Sequence, residues 1–362
     1  MPGSLFSSSR SVVVAAAHAS APPLDRDAGV AKACQIIADA SAAGARLVVF
    51  SESFIPGFPI WTGIFPPVDG HSLFRRFAEN ALNPQDKPFR TIMEAAARHR
   101  IYVSLGFCEV SSRSPGRLWN SQALISDEGV LLNLHRKLVP TYYEQLVWDR
   151  GDSEGLRVMD TPIGRIGGLV CGENNNPLAR YVLMGEGEEI HCACYPAIWP
   201  FRNPVNGPIY DLRDAIRFRA AAHSFEAKVF TIVASGMVDD ALIDTFSGGD
   251  PDKARILRAC PPACSMIIGP TGELVSEVRQ DEEGLVLAEL DLASLVELRR
   301  HHDMAGYYCR SDVFRLRLER QRAEVLEVID APSGALIHRT DVPFSLSAEH
   351  ERDEPSARQP QE

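Results

Sequence analysis

The sequence lacks several features that would assign it to a broad functional class. No apolar run in its 362 residues reaches the ~18 residues of a membrane-spanning helix, so we expect no membrane partner. It has no block of basic residues, and its net charge of −11 argues against a nucleic-acid partner. It has neither a Gly-x-Gly-x-x-Gly fingerprint after the first predicted strand nor a Gly-Lys-Ser/Thr phosphate loop, so no nucleotide cofactor is indicated.

The eight cysteines lack the spacing of a disulfide framework or of a zinc site. Two close pairs, Cys192/Cys194 and Cys260/Cys264, have no histidine closely behind them, so we expect no bound metal. The apolar run 11–17 is interpreted as the first core strand and not as a secretion signal. We therefore expect reduced thiols and a cytoplasmic location.

The order of apolar and amphipathic segments is typical of an α/β protein. The first three are a predicted strand at 11–17, a helix at about 28–43 and a strand at 47–50. The last of these is continuously apolar, as in strands buried on both faces. Roughly ten to twelve strands, with helices and hairpins interspersed, predict an α/β fold with mixed sheets.

The chain is predicted to contain one large domain and a short extension. Residues 11–330 carry the predicted strands and helices. From about residue 331 the sequence becomes rich in turn residues, and 345–362 is polar and contains proline. We therefore expect a domain at 11–330 and a C-terminal extension at 331–362 with a disordered tail.

Side chains of complementary chemistry follow three of the predicted strands. Glu52, Lys137 and Cys171 each stand within two residues of the end of an apolar run. Because strand ends form the ligand crevice of α/β sheets, three strands could bring a carboxylate, an amine and a thiol together. The carboxylate could take the proton of the thiol nucleophile, and the amine could stabilise developing negative charge.

Each of these residues also has a simpler interpretation. Glu52 could be a loop or helix-cap carboxylate, Lys137 an exposed charge, and Cys171 a buried structural thiol. The sequence after Cys171 indicates a sharp turn and the start of a helix. A helix N-terminus would favour the thiolate form of a cysteine, so we expect a stabilised thiolate at Cys171.

Three segments around these residues resemble the signature segments of the nitrilase superfamily of carbon–nitrogen hydrolases, and of its nitrilase branch in particular. They are residues 49–59, 135–144 and 167–181. The resemblance extends over about residues 12–314, in the family's order and spacing. It implies a four-layer α-β-β-α sandwich, no cofactor, and self-association as a dimer that can extend into a spiral.

The resemblance also implies catalytic roles. Cys171 would attack a nitrile carbon and form a thioimidate. Glu52 would act as general base and then as general acid, while Lys137 would stabilise the charged intermediate. Glu144 matches a second glutamate that orients these groups. Two water molecules would then release ammonia and a carboxylic acid.

Five residues are predicted to line the substrate pocket: Phe58, Trp61, Gly172, Glu173 and Trp199. The three aromatic residues would favour aromatic or arylaliphatic nitriles, although ordinary loop packing explains them equally well. Glu173 matches the nitrilase branch. Gly172 stands where many nitrilases have tryptophan, which alters the expected pocket wall.

A further departure lies towards the C-terminus. Tyr307 and Ser311 stand where the family often has histidine and proline. This affects the expected interface contacts more than the chemistry.

The sequence leaves other activities open. The same three residues could serve an amidase or a carbamoyl-type hydrolase, or an enzyme that hydrates nitriles to amides. A catalytically silent relative, used as a binding or assembly module, is the alternative from another class of protein. The sequence determines neither the side chain of the substrate nor the number of subunits.

Overall fold

The computed structural model describes residues 10–205 and 210–322, and the backbone of two short strands beyond them. The strands are β1 Ser11–His18, β2 Leu47–Val49, β3 Tyr102–Val110, β4 Leu118–Ile125, β5 Leu131–Arg136, β6 Met159–Thr161, β7 Gly164–Val170, β8 Ile190–Tyr195, β9 Phe230–Ser235, β10 Met266–Ile268, β11 Gly284–Asp291, β12 Val328–Ile329 and β13 Leu336–Ile337. The helices are α1 Arg26–Ala42, α2 His71–Glu79, α3 Lys87–His99, α4 Pro177–Gly185, α5 Leu212–Ala227, α6 Asp240–Ser247, α7 Pro251–Ala259 and α8 Leu295–His301.

The strands form two mixed sheets. The six-stranded sheet has the order β11-β1-β2-β3-β4-β5, and the five-stranded sheet has the order β10-β9-β8-β7-β6. Strands β1, β2 and β3 are parallel, as are β7, β8 and β9, while the remaining pairs are antiparallel. The parallel strands place their carboxyl ends, and the residues that follow them, at one edge of each sheet.

Successive side chains of each strand point to opposite faces of its sheet, and this alternation produces the layers. In β1, Val14 and Ala16 face the five-stranded sheet, where they pack with residues such as Ile232 of β9. Ala15 and Ala17 face the opposite way and join the buried residues of α1 and α3. Helix α5 covers the outer face of the five-stranded sheet, and α4 packs beside β7. The predicted α-β-β-α sandwich is confirmed.

Most predicted elements are present within a few residues of their predicted bounds, but α6, α7 and α8 were not predicted. The first two are short and lie in a polar stretch. The sequence does contain helix-start signals for both. Asp239 caps α6, and Asp250 caps α7, in which Pro251 lies in the first turn.

Two predictions about the whole chain have different outcomes. All eight cysteines are free, in agreement with the expected reduced thiols. The extension at 331–362 lies outside the described residues apart from the backbone of β13, so the division into 11–330 and 331–362 stays a prediction. Among the described residues, no helix has both the length and the apolar character needed to cross a membrane.

The loop that carries Glu52 runs in close contact with β3, and Gly106 makes this possible. A Cβ atom at position 106 would lie 2.2 Å from the carbonyl oxygen of Ser51. The backbone N–H of Phe54 donates a hydrogen bond of 2.8 Å to the Gly106 carbonyl. The absence of a side chain at position 106 therefore sets the position of the Glu52 loop.

We expect Gly106→Ala to destabilise the protein by about 1–3 kcal/mol, because the new methyl group must displace the backbone of the loop. Equilibrium urea unfolding measures this effect. Gly116→Ala is the matched control, since nothing lies within 4 Å of a Cβ atom there. Equal unfolding midpoints for the two variants would contradict this account of Gly106.

Candidate active site

The structure brings the three predicted strand ends together. Glu52 follows β2, and its backbone N–H donates to the carbonyl of Tyr195 at the end of β8, in the other sheet, at 3.1 Å. Lys137 follows β5, and Cys171 follows β7. The Cys171 thiol and one carboxylate oxygen each of Glu52 and Glu144 all lie within 4.8 Å of one another.

The Lys137 ammonium lies between the two carboxylates. Its Nζ donates to Oε1 of Glu52 at 2.9 Å and to Oε2 of Glu144 at 2.6 Å. The Lys137 residue is only 1% exposed, so these ion pairs are shielded from water. Because removing a charge from water is costly, the two carboxylates are what make a buried ammonium possible here. Burial lowers the pKa of Lys137, but Glu144 and Glu52 outweigh it and hold that pKa well above its usual value.

Glu144 is positioned by a local sequence signal. Thr141 and Glu144 have the residue types and spacing of a capping box at the start of the short 3-10 helix Tyr142–Leu146. The Thr141 backbone N–H donates to Glu144 Oε2 at 2.9 Å, the same oxygen that binds Lys137. Burial raises the pKa of Glu144 to about 7, although Lys137 acts in the opposite direction.

Asn120 was not predicted to be part of this site. Its Nδ2 donates to Glu52 Oε1 at 2.7 Å, and its carbonyl accepts from the Lys137 backbone N–H at 2.8 Å. The pairing of β4 with β5 explains its place, because the register that pairs Ser121 with Arg136 puts Asn120 beside Lys137. Glu52 Oε1 therefore accepts two hydrogen bonds, while Oε2 has no partner among the described residues.

Cys171 stands at a sharp turn in the backbone. Its φ is +50°, and it is the first residue of the 3-10 helix Cys171–Asn175 that directly follows β7. A residue with a side chain pays roughly 1–2 kcal/mol to adopt this left-handed conformation, so neighbouring contacts must hold it. The turn itself agrees with the bend predicted from the sequence.

The prediction of a stabilised thiolate at Cys171 is wrong for this arrangement. Burial raises the pKa of the Cys171 thiol well above its usual value, and Glu52 raises it further, while Lys137 lowers it. The carboxylates of Glu52 and Glu144 raise this pKa, whereas the positive charges of Lys137 and Arg219 lower it. The thiol is therefore protonated at neutral pH, and a base must remove its proton before or during attack.

Glu173 connects the strand end that carries Lys137 to the turn that carries Cys171. Its Oε1 accepts from the backbone N–H of Leu138 at 2.9 Å. Its Oε2 accepts from the backbone N–H of Val170 at 3.1 Å and from Nε2 of His135 at 2.8 Å. Burial alone would raise the pKa of Glu173, but His135 and these N–H groups lower it. Both oxygens bind protein groups, and a contact of Glu173 with substrate stays a prediction.

The predicted aromatic pocket residues pack in different buried clusters. Phe58 and Trp61 are buried in an aromatic cluster, with Trp61 stacked on Phe246 at a centroid distance of 5.4 Å. Trp199 is half-buried, stacks on Tyr143 at 5.4 Å, and packs against the buried cluster that contains Cys171. Of the three, Trp199 is the one placed beside the thiol's cluster, and substrate contact by all three stays a prediction.

Gly172 lies directly beside the Glu144 segment. A Cβ atom at position 172 would be 3.0 Å from Oγ1 of Thr141. A larger residue there would therefore press on the capping box that positions Glu144. Its predicted place in the pocket wall stays a prediction.

Two groups of described residues have three possible metal-ligand atoms close together. In Glu52, Glu144 and Cys171, the Lys137 ammonium already binds both carboxylates and supplies the positive charge. The second group is Glu188, His191 and His223, in which both rings hydrogen-bond to the carboxylate at 2.8 Å. Hydrogen bonds account for the spacing of this second group.

Comparisons with known proteins agree with the fold and with the family that the three segments resemble. Residues 13–300 match the carbon-nitrogen hydrolase family. A nitrilase from Paraburkholderia phymatum is 34% identical over 313 residues, which cover 86% of this chain and 88% of that protein. A cyanide hydratase from Alternaria brassicicola is 31% identical over 322 residues, which cover 87% of each protein.

A solved structure shows the same architecture at lower sequence identity. The crystal structure of a carbon-nitrogen hydrolase from Helicobacter pylori G27 superimposes with a TM-score of 0.62 and 18% identity. The match covers 81% of this chain and 93% of that chain. At this identity the likeness concerns the fold.

The charges around Cys171 predict opposite effects for two substitutions. We expect Glu52→Gln to lower the pKa of the thiol, because it removes a negative charge, and Lys137→Met to raise it. The measurement is the pH dependence of Cys171 alkylation by iodoacetamide, followed on the Cys171 peptide by mass spectrometry. Shifts of the same sign in both variants would contradict the electrostatic account.

Proposed function

The chain belongs to the carbon–nitrogen hydrolase family and is a hydrolase of the nitrilase type, and we propose that it converts an organic nitrile into a carboxylic acid through covalent intermediates on Cys171. One observation carries the proposal. A thiol, a carboxylate and an ammonium from three separate strand ends meet in one buried site. These are the groups that thiol-mediated attack on a carbon–nitrogen bond requires.

The first step forms the bond between sulfur and carbon. Glu52 takes the proton of the Cys171 thiol while Sγ attacks the nitrile carbon, and a π electron pair moves to the nitrogen. The nitrogen then takes the proton from Glu52, which leaves a neutral thioimidate. Oε2 of Glu52 is the atom for this transfer, because Oε1 already accepts from Lys137 and Asn120.

Two water molecules complete the reaction. The first gives one proton to Glu52 as its oxygen adds to the thioimidate carbon, and Glu52 passes this proton to the nitrogen. The remaining hydroxyl proton then reaches the nitrogen by the same route, so that ammonia leaves and a thioester carbonyl forms. The remaining thioester is hydrolysed by the second water, which yields the carboxylic acid and restores the thiol. The sum is one nitrile and two waters to one acid and one ammonia.

Lys137 is proposed to stabilise the negative charge that develops on nitrogen or oxygen in these steps. A buried ammonium is effective for this purpose because water does not screen it. Glu144 holds Lys137 from the other side, at 2.6 Å, so that Lys137 does not follow Glu52 when Glu52 changes its charge. The site also offers the positive charge that a cofactor-free reaction needs, which supports a mechanism without a cofactor.

The residues that shape the substrate pocket and the cellular compartment are proposals as well. Gly172 lies beside Thr141, and Trp199 packs against the buried cluster that contains Cys171, so we propose that they shape the part of the pocket that receives the nitrile substituent. Eight free thiols support a reducing compartment such as the cytoplasm.

The direct test is incubation with aliphatic, aromatic and arylaliphatic nitriles, with ammonia and organic products quantified. We expect equal amounts of ammonia and carboxylic acid from at least one class. Cys171→Ala should lower the rate by at least about 1,000-fold, because it removes the nucleophile. Cys34→Ala, at a half-buried thiol on α1, is the matched control and should remain active.

Other product patterns would select the alternatives. Turnover of amides without any nitrile would make the protein an amidase-type hydrolase. Amide as the main product from nitriles would make it a nitrile-hydrating enzyme. Turnover of neither substrate class would favour a catalytically silent relative.

Self-association is proposed to use the outer face of α5. Phe218 and Phe225 stand seven positions apart on one side of this helix and are 70% and 51% exposed. Phe225 contacts the His302 ring, which in turn contacts Tyr308, so the apolar surface continues beyond the helix. Exposed apolar patches of this kind are typical of protein interfaces.

We expect the protein to be at least a dimer in solution. Phe218→Glu should lower the mass of the assembly, because the new charge would be buried in the interface. Light scattering coupled to size exclusion measures this. Val68→Glu, at a side chain 75% exposed and away from α5, is the control that should keep the assembly intact. A monomeric wild type, or equal effects of both substitutions on the mass of the assembly, would contradict this proposal.

A further inference from the structure

A buried group of charged and polar side chains lies behind Cys171 and takes no part in the chemistry described above. Glu188 precedes β8, His191 lies in β8, and His223 lies in α5. His191 Nδ1 and His223 Nε2 each lie 2.8 Å from a different oxygen of the Glu188 carboxylate. All three residues are buried at 0–1% exposure, which is unusual for ionisable groups without a specific role.

Asn174 connects this group to the nucleophile. Its Oδ1 lies 2.8 Å from His191 Nε2. Its Nδ2 lies 3.1 Å from the carbonyl oxygen of Leu169 and 3.0 Å from that of Cys171. One side chain therefore binds the backbone on both sides of the bend at Cys171.

The donors and acceptors of this network have one consistent arrangement. Two carbonyl oxygens can only accept, so the Asn174 atom that faces them is the NH2 group. The atom that faces His191 is then the amide oxygen, and His191 must donate to it from Nε2. Burial raises the pKa of Glu188, but His191 and His223 lower it to about 2, so its carboxylate is ionised and only accepts.

His191 must therefore donate from both ring nitrogens, which makes it an imidazolium paired with the Glu188 carboxylate. His223 donates from Nε2 alone, because its Nδ1 has no partner among the described residues. Burial lowers the pKa of His223 to about 4, in agreement with a neutral ring. The buried charges of Glu188 and His191 cancel.

Gly167 of β7 leaves room for this ion pair. A Cβ atom at position 167 would lie 2.2 Å from Oε1 of Glu188. Gly167 stands four residues before Cys171 on the strand that ends at the nucleophile. The carboxylate is thus packed directly against the strand that carries the catalytic turn.

We propose that Glu188, His191 and Asn174 are positioning residues for the nucleophile. The ion pair fixes the orientation of the Asn174 amide, and the Asn174 NH2 group holds the Leu169 and Cys171 carbonyls so that Cys171 keeps its left-handed backbone conformation. This conformation directs Sγ towards Glu52. The proposal rests on Cys171 as the nucleophile of the proposed function.

His223 provides a matched control within the same cluster. His191 and His223 are equally buried and each binds one oxygen of Glu188, but only His191 reaches Asn174. When either histidine is replaced by leucine, the other can remain paired with the carboxylate. The two variants therefore differ mainly in the contact with Asn174.

The test measures the alkylation rate of Cys171 by iodoacetamide, mapped to the Cys171 peptide, together with melting temperature and, for the best nitrile, kcat and KM. We expect His191→Leu and Asn174→Asp to slow alkylation and kcat by about 10- to 100-fold, as expected for a misplaced reacting group, with KM nearly unchanged. His223→Leu should lower the melting temperature but keep both rates within about twofold, because it leaves Asn174 in place.

His191→Gln separates positioning from general stability. The glutamine amide can still donate to Asn174 Oδ1 but cannot carry the charge, so we expect it to recover most of the alkylation rate that His191→Leu loses. If His191→Leu does not fold, the proposal is tested by the Cys171 alkylation rate of Asn174→Asp, compared with the rates of His223→Leu and His191→Gln.

Two results would overturn the proposal. Equal losses of Cys171 reactivity in the His191 and His223 variants would indicate general destabilisation. An unchanged rate in folded Asn174→Asp would show that the Asn174 contacts do not position the thiol. Alkylation does not require nitrile turnover, so failure of the proposed function alone would leave this test intact.

Discussion

The buried Lys137 ammonium is the interaction on which the rest of the site depends. It binds Glu52 from one strand end and Glu144 from a capped turn, and it is almost inaccessible to water. Removing it would leave two carboxylates facing each other beside a thiol, which burial makes expensive. The same ammonium lowers the pKa of the thiol that the carboxylates raise. Lys137 thus holds the carboxylates together and, in the proposed mechanism, supplies the positive charge that the reaction uses.

The fold supplies this site by bringing strand ends from both sheets to one edge. Glu52 bonds to the end of β8 through its backbone, and Glu173 bonds to the backbone on both the Lys137 side and the Cys171 side. Around the turn, Asn174 adds a connection to the buried pair of His191 and Glu188. The side chains of Glu52, Lys137 and Cys171 are therefore positioned mainly by backbone and buried polar contacts.

The layers and the three strand ends could be predicted from the sequence because their signals are local. Continuous apolar runs indicate buried strands, and Thr141 with Glu144 is a capping box in the sequence itself. The protonated state of Cys171 could not be predicted in this way, because it depends on burial and on Glu52, which lies far away in the chain. The same holds for the contact of Asn120 with Glu52 and for that of His223 with Glu188, because these partners lie far apart in the chain.

The central claim is that Cys171 becomes covalently attached to the substrate carbon with the help of Glu52 and Lys137. The most direct measurement is rapid-quench mass spectrometry of the protein during turnover of a nitrile, with the modified residue identified by peptide mapping. The account predicts an added mass equal to that of the nitrile or of its acyl group, located on Cys171. Product formation without such an adduct, or with the adduct on another cysteine, would contradict it.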